Sequence, residues 1–408
     1  MRLPRIKRVH RPLSLPGNRI VIGLTQQGVS SEIQDGEDGA IARLIVLMNG
    51  TRTVDQICAA FAETHGDVDE ESVRAVIDDL IVGGFVEDAG APAPGNLTPR
   101  EIERYEPSRN FFAWIDTVPR SSPYEAQSRI KDAKVGLLGI GGTGSAVAAG
   151  LVSGGIGALH VADFDIVEEP NLTRQLLYTE ADVGRPKVES AVERLRLMNS
   201  FVEVTGSTFK AGGADDIASL MDDCDVFVLC ADEPQPDIVF WTNEAALRTR
   251  TPWFASFYTG PMAVVASMIP GETGCWACLR RQEDQHEIKA HGSPLTEGRP
   301  NAVNAASANI SGHLCALDVL YHLGGMAPRS AGGCTTGTSP CGTTSTSSTS
   351  RVTTTVPPAA PRFRERRHRR EPRPVPSAAH PAARRRPAHH RRRQTGDRGV
   401  RRAPGRVR

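Results

Sequence analysis

The 408-residue sequence is poor in several things at once, and each shortage narrows the reading. No apolar run approaches the roughly 18 residues that a membrane-spanning helix needs, which argues against an integral membrane protein. The basic start, Met1-Arg-Leu-Pro-Arg-Ile-Lys-Arg8, is followed only by the short run Ile20-Val21-Ile22, so a cleavable signal peptide is not expected. Eight cysteines are too few for a disulfide scaffold of this size, and the expected compartment is the reducing cytoplasm. An excess of one charge sign is missing as well: 48 Lys+Arg stand against 47 Asp+Glu. That balance conceals a split, because residues 351–408 hold 19 Arg and 3 acids, a charge of +16, and leave −15 to the first 350 residues.

What is present divides the chain into four parts. Residues 1–90 carry two strand-like runs, Arg19 to Leu24 and Val29 to Ile33, joined across Gly28, then three helical patterns. The first is apolar at Ile41, Leu44, Ile45 and Met48 and stops at Asn49-Gly50; the second opens with the capping box Thr53-Val-Asp-Gln56; the third begins at Asp69 and closes at Gly83-Gly84 before a short strand at Phe85. This is the pattern of a small winged-helix-like α+β domain. Residues 91–97 read as a Pro/Gly/Ala linker. Residues 98–330 alternate short apolar runs with amphipathic stretches, which predicts an α/β, doubly wound, mainly parallel sheet of Rossmann type. Residues 331–408 turn Thr/Ser-rich and then Arg/Pro-rich, cannot bury a core, and are expected to be disordered.

The sharpest motif is Lys134-Val-Gly-Leu-Leu-Gly139-Ile-Gly141-Gly142-Thr-Gly144, a buried strand entering a glycine turn and a helix of small residues. Glycines let a phosphate chain approach the backbone, and the first helical turn offers unpaired N–H groups at the positive end of its dipole. The next strand, Ala158 to Ala162, ends at Asp163, where an acid can bond ribose hydroxyls. Alone, this is a dinucleotide fingerprint, and an NAD-dependent oxidoreductase is one reading.

From that acid the chain continues as Asp163-Phe-Asp165-Ile-Val-Glu-Glu-Pro-Asn171-Leu-Thr-Arg174-Gln175, then Gly184-Arg-Pro-Lys187. Over roughly 200 residues this resembles the ThiF/MoeB/HesA-type adenylating enzymes, relatives of the ubiquitin-activating enzymes. An Arg and a Lys suit adenylation, since attack on the α-phosphate expels pyrophosphate and cations must steady the charge on the leaving group. The resemblance implies a cytoplasmic homodimer using ATP and Mg²⁺. It makes Arg174, Lys187 and Asp232 the catalytic residues. The nucleotide contacts it implies are Gly139, Gly141, Gly142, Gly144, Asp163, Asp165, Asn171 and Gln175, with Arg109 a further candidate reaching a neighbouring subunit. Two departures are visible: Ala231-Asp232-Glu233 replaces the family's Asp-Asn, and Arg104-Tyr-Glu-Pro-Ser-Arg109 replaces its Arg-Tyr-x-Arg.

Cys275-Trp-Ala-Cys278 falls where the family has the first half of a structural zinc site. Zinc takes four ligands, and the downstream pair, Cys334 and Cys341, is badly spaced for the second half; a redox pair is the rival reading. Cys58, Cys224, Cys230 and Cys315 sit in apolar contexts and read as buried thiols, so no cysteine is placed for a thioester step. The first domain, through Leu47-Met-Asn-Gly-Thr-Arg-Thr-Val-Asp-Gln-Ile57 and Leu80-Ile-Val-Gly-Gly-Phe-Val-Glu87, resembles PqqD-like domains. That resemblance implies a leader peptide captured by strand addition. The acids at Asp67, Asp69, Glu70, Glu71, Asp78 and Asp79 make this domain a poor nucleic-acid surface.

Clamp and adenylating domain together resemble microcin-type peptide-activating enzymes. The expected function is ATP-dependent adenylation of a carboxylate on a ribosomally made precursor peptide. The alternative is a non-catalytic partner that delivers the precursor to a separate modifying enzyme. For the basic tail, a nucleic-acid arm is weighed below a change of coding frame near Ala331, because Thr and Ser codons read one base later give alternating polar and apolar residues. Neither nucleic acid nor membrane is an expected partner.

Overall fold

The computed structural model describes residues 2–23, 29–66, 69–259, 262–286, 302–330 and 334–337, all within one compact unit. The turn expected at Gly28 lies outside these residues, as does most of the tail expected to be disordered from residue 331; within that tail Cys334–Gly337 is instead a strand paired with residues 263–266.

The first domain is built from β1 (Pro4–Ile6), β2 (Leu13–Leu15), β3 (Arg19–Ile22), β4 (Ser31–Gln34), α1 (Ala40–Leu47), α2 (Val54–His65), α3 (Glu70–Val82) and β5 (Val86–Asp88). The expected hairpin is the β3/β4 pair, with Ile20 opposite Ile33. Its other edge takes β2, giving a three-stranded antiparallel sheet in the order β2-β3-β4. The returning strand β5 joins β1 instead, with Ile6 opposite Val86. The helices start where their caps lie: the Thr53 hydroxyl accepts the Gln56 N–H while the Gln56 side chain returns the bond, and Asp69 accepts the N–H groups of Glu71 and Ser72. Their inner faces pool Leu44, Ile45, Ile57, Phe61, Val73, Ile77 and Leu80 into one core against Ile20, Ile22 and Val86. Burial of each such side chain contributes about 1.5–3 kcal/mol.

The second domain follows with α4 (Pro99–Arg104), α5 (Glu106–Ile115), α6 (Glu125–Asp132), β6 (Lys134–Leu138), α7 (Gly142–Gly154), β7 (Ala158–Asp163), α8 (Lys187–Met198), β8 (Glu203–Thr208), α9 (Ala214–Met221), β9 (Val226–Leu229), α10 (Asp237–Thr249), β10 (Trp253–Thr259), β11 (Met262–Met268), α11 (Trp276–His286), α12 (Ala305–Leu323) and β12 (Cys334–Gly337). The sheet order is β12-β11-β10-β9-β6-β7-β8, parallel from β8 through β10 and antiparallel at β11 and β12. Because side chains alternate along a strand, Val226 and Val228 enter the core beneath α7, α8 and α12, while Phe227 and Leu229 enter the opposite core beneath α9 and α10. Both faces are covered, the condition under which a parallel sheet is stable.

Chain order reverses at β6, which has β7 on one side and β9 on the other. The crevice beyond the carboxyl ends of these strands is where an open α/β sheet receives a ligand. No helix among the described residues is long and apolar enough to cross a membrane.

The two domains meet through buried polar contacts. The Lys7 ammonium donates to the Asp116 carbonyl at 2.6 Å, and His10 bonds the Trp114 carbonyl at 2.9 Å. A carbonyl only accepts, so His10 Nε2 carries the proton. Beside them Arg120 joins the Asp116 carboxylate at 2.7 Å and the Gly325 carbonyl at 2.9 Å. Asn96 and Leu97, at the end of the segment read as a linker, are packed: Asn96 donates to the Ser128 carbonyl and the Asp132 carboxylate, and Leu97 is buried.

Candidate functional site

The site forms where β6 runs into α7. Gly139 has φ +92°, and a Cβ there would stand 2.4 Å from the Ala231 nitrogen. A Cβ on Gly144 would stand 2.0 Å from the Gly139 carbonyl oxygen. These two glycines are needed by the turn itself. Gly141 differs: its Cβ would meet only Gln175 Nε2, at 3.7 Å, so the missing side chain leaves open space. Gly141 is also the N-cap of α7 and supplies no capping side chain, so the first N–H groups of the helix have no side-chain acceptor. An open cradle lined by backbone donors fits an anion.

Asp163, at the end of β7, is buried and fastens the turn. One carboxylate oxygen accepts the Ile140 N–H and the other the Asp165 N–H, both at 2.8 Å. The Ile140 carbonyl in turn accepts the Tyr178 hydroxyl at 2.9 Å and the Ser145 hydroxyl at 3.3 Å. Burial, with Asp163, Asp182 and Asp165 nearby, pushes the Tyr178 phenol far up, so it stays a donor.

The loop from β7 to α8 carries the remaining polar groups. Asn171 is buried, and its Oδ1 accepts the Glu168 N–H at 3.1 Å, folding the turn that delivers Arg174. Arg174 lies along the helix start: its Cγ is 3.3 Å and its Cδ 3.5 Å from where a Gly142 Cβ would be, and its guanidinium donates to the Pro170 carbonyl at 3.1 Å. Among the described residues no carboxylate pairs with it. Gln175 is 3% exposed, and its side-chain carbonyl has no hydrogen-bond partner among the described residues, an acceptor awaiting a donor. Lys187 opens α8 and donates to Asp165 Oδ2 at 2.8 Å. Asp232 is exposed just beyond β9, after Ala231, whose backbone lies against Gly139.

The four glycines, Asp163, Asp165, Asn171, Arg174, Gln175, Lys187 and Asp232 thus gather around one crevice. Arg109 is held elsewhere, on α5, with its guanidinium 5.0 Å from the Tyr124 ring centroid and 3.6 Å from Glu106. Sequence reasoning missed Tyr178, and also Asn309, whose amide donates to the Arg174 carbonyl at 3.1 Å from α12. Asp182 was missed too; buried, it binds Arg185 and Arg194 and holds the loop. Tyr178 sits only three residues beyond Gln175, but nothing in the string shows that its hydroxyl turns back onto Ile140.

Asp232 fits a magnesium ion: it is an exposed carboxylate at the crevice, and Mg²⁺ takes one or two carboxylates together with phosphate oxygens and water. The zinc expectation rests on less. Cys275 and Cys278 have sulfurs 3.5 Å apart, near the roughly 3.7 Å edge of a tetrahedral thiolate site. Among the described residues no cluster of three or more His, Cys, Asp or Glu completes it. Burial acts to raise the Cys275 thiol, but hydrogen bonds involving Cys278, Ala277 and Asn243 outweigh it and bring the thiol below its usual value.

Comparison with known proteins bears on the family and the fold. The sulfur carrier protein ThiS adenylyltransferase of Bacillus subtilis (strain 168) is 37% identical over 155 residues, 38% of this chain and 45% of that protein. The vegetative HesA protein of Trichormus variabilis is 31% identical over 198 residues, 48% of this chain and 70% of that one. The matched part thus spans less than half the length of the first of these relatives and about seven-tenths of the second. Among solved structures, Escherichia coli MccB aligns with a TM-score of 0.67 at 24% identity, over 82% of this chain and 91% of its own. A further MccB structure, with AMPCPP and MccA, gives a TM-score of 0.63. The ThiF family model matches residues 117–355, more than half of the sequence, and the chain belongs to the ThiF family.

Proposed function

We propose that the protein is an ATP-dependent adenylyltransferase that activates a carboxylate, and that the carboxylate belongs to a ribosomally made precursor peptide. The observation that carries the reading is Arg174, laid along the open start of α7 without an acidic partner among the described residues. A dinucleotide needs only the glycine turn and Asp163. A guanidinium held at the same turn, together with the cation Lys187 and the carboxylate Asp232, would suit a triphosphate whose terminal two phosphates must depart.

In this reading the α7 N–H groups and Gly141 cradle phosphate, Asp163 and Asp165 face the ribose side, and the Gln175 carbonyl accepts from a nucleotide donor. The substrate carboxylate oxygen attacks the α-phosphorus, the bond from that phosphorus to the bridging oxygen breaks, and pyrophosphate leaves with the electron pair. Arg174 and Lys187 stabilise the charge that develops on it. Asp232 would hold Mg²⁺, which when bound would supply charge neutralisation. Cys315 is buried and Cys230, expected to be buried, is partly so, with desolvation raising both thiols, Cys230 to about 12, which supports direct transfer from the acyl-adenylate over a thioester relay.

The precursor would dock on the first domain, where β2 and β4 are the edges of the three-stranded sheet and carry exposed positions. Exposed Ile310 and Leu314, one turn apart on α12, with exposed Leu176, support the homodimer expectation. The deciding experiment is ATP–pyrophosphate exchange with a candidate precursor peptide. Peptide-stimulated exchange is expected, whereas a folded protein that binds the peptide and exchanges nothing would point to the delivery role.

A further inference from the structure

We infer that Tyr178 is a positioning residue that aims the Gly141 N–H at the nucleotide phosphates, a role that rests on the adenylation reading above. Tyr178 is 5% exposed and its hydroxyl donates to the Ile140 carbonyl at 2.9 Å. The Ser145 hydroxyl reaches the same oxygen at 3.3 Å, and the Ile140 N–H is fastened to Asp163 at 2.8 Å. The carbonyl of the Ile140–Gly141 peptide unit is therefore pinned into the protein. A planar trans peptide points its N–H away from its C=O, so the Gly141 N–H faces the other way. The space on Gly141 is the opening that a Cβ would occupy with only Gln175 Nε2 at 3.7 Å.

Ile140, before this peptide, is buried and held through its N–H by Asp163, but Gly141, after it, has no side chain to restrict rotation, and the Tyr178 bond adds to the hold there. Tyr178 also connects two halves of the site. Its own N–H donates to the Gln175 carbonyl at 3.1 Å, within the loop that presents Arg174. Through its hydroxyl and its backbone, one residue thereby ties the Ile140–Gly141 peptide to the loop that carries Arg174. The signature in the string is a tyrosine three residues after Arg174-Gln175, a position to which nothing else in the site assigns a role.

The experiment is Tyr178→Phe in the full chain, with thermal melting, calorimetric titration of ATP and of adenosine, and pyrophosphate exchange. The expected result is a folded variant whose ATP affinity and exchange kcat/KM fall roughly tenfold while adenosine binds as before, since one donor to a charged group is misdirected. A folded variant with unchanged ATP affinity, or with equal losses for ATP and adenosine, overturns the inference. Should the variant fail to fold, the wild-type Gly141 amide resonance decides: inorganic pyrophosphate is expected to shift it, and no shift at saturation overturns the role. Wild-type protein that binds no ATP at all would instead sink the adenylation reading itself.

Discussion

Lys187 Nζ stands 2.8 Å from Asp165 Oδ2, and the partners are unequally covered, with side-chain exposures of 7% and 47%. The Lys187 N–H also donates to the Asp165 carbonyl at 2.9 Å, so one residue grips the lysine by backbone and side chain. The ammonium is thus oriented before a nucleotide arrives, and its partner lies on the open side. Lys187→Ala is expected to lower pyrophosphate exchange by about 10²-fold or more with little change in melting temperature, by analogy with removal of one preorganised transition-state donor. Asp165→Asn should lose less. Exchange that survives Lys187→Ala would place the reacting phosphates elsewhere.

The glycines of the turn should separate by phenotype. Gly144→Ala puts a Cβ 2.0 Å from a backbone oxygen and should destabilise the fold by more than about 2 kcal/mol, read as a lower denaturation midpoint. Gly141→Ala meets nothing closer than 3.7 Å and should fold normally while losing ATP binding, because the methyl fills the cradle. Equal stability losses in the two variants would contradict this division.

Acid sensitivity should trace in part to His322, on α12 with its ring 5.8 Å from Phe254. Burial lowers this histidine from 6.5 to about 4. As pH falls below about 6.5 the unfolded chain takes up a proton that the folded one refuses, so stability declines through this window until about pH 4. The slope is at most about 1.4 kcal/mol per pH unit from this group. Urea unfolding of His322→Gln from pH 4.5 to 7 should show a shallower decline than wild type; parallel curves would refute the assignment.

Thiol chemistry should follow burial. Cys278 is exposed, and the Cys275 thiol lies below its usual value. Burial pushes Cys224 and Cys230 up to about 12 and raises Cys58 and Cys315. Peptide mapping after brief iodoacetamide treatment at pH 8 should find Cys275 and Cys278 labelled well before Cys58, Cys224, Cys230 and Cys315. Early labelling of Cys230 would mean that the core beside α7 opens readily.

Local signals were the legible part of the molecule. Thr53 with Gln56 and Asp69 with Ser72 are caps whose partners lie within three residues, and both helices begin where those residues place them. The glycine turn, Asp163 and the residues Asn171 to Lys187 also form one continuous stretch, so their convergence followed from order along the chain. The illegible contacts join distant residues of ordinary type. β1 pairs with β5 across more than 80 residues, and no pattern in Pro4-Arg-Ile6 announces a strand. Tyr178 and Ile140 are separated by 38 residues, and Asn309 reaches Arg174 across 135. Such bonds are settled by packing of whole layers, which no single window of sequence contains.

The junction at Lys7 and His10 has a further consequence. An ammonium and an imidazole buried against the carbonyls of Asp116 and Trp114 leave no slack hinge between the first domain and the sheet that carries the nucleotide crevice. A peptide paired with an edge of the first domain would therefore be presented from a fixed anchor. The number of residues between its docked segment and its reacting carboxylate becomes a ruler, and inserting or deleting spacer residues in the peptide, rather than changing its end, should be what the protein tolerates least.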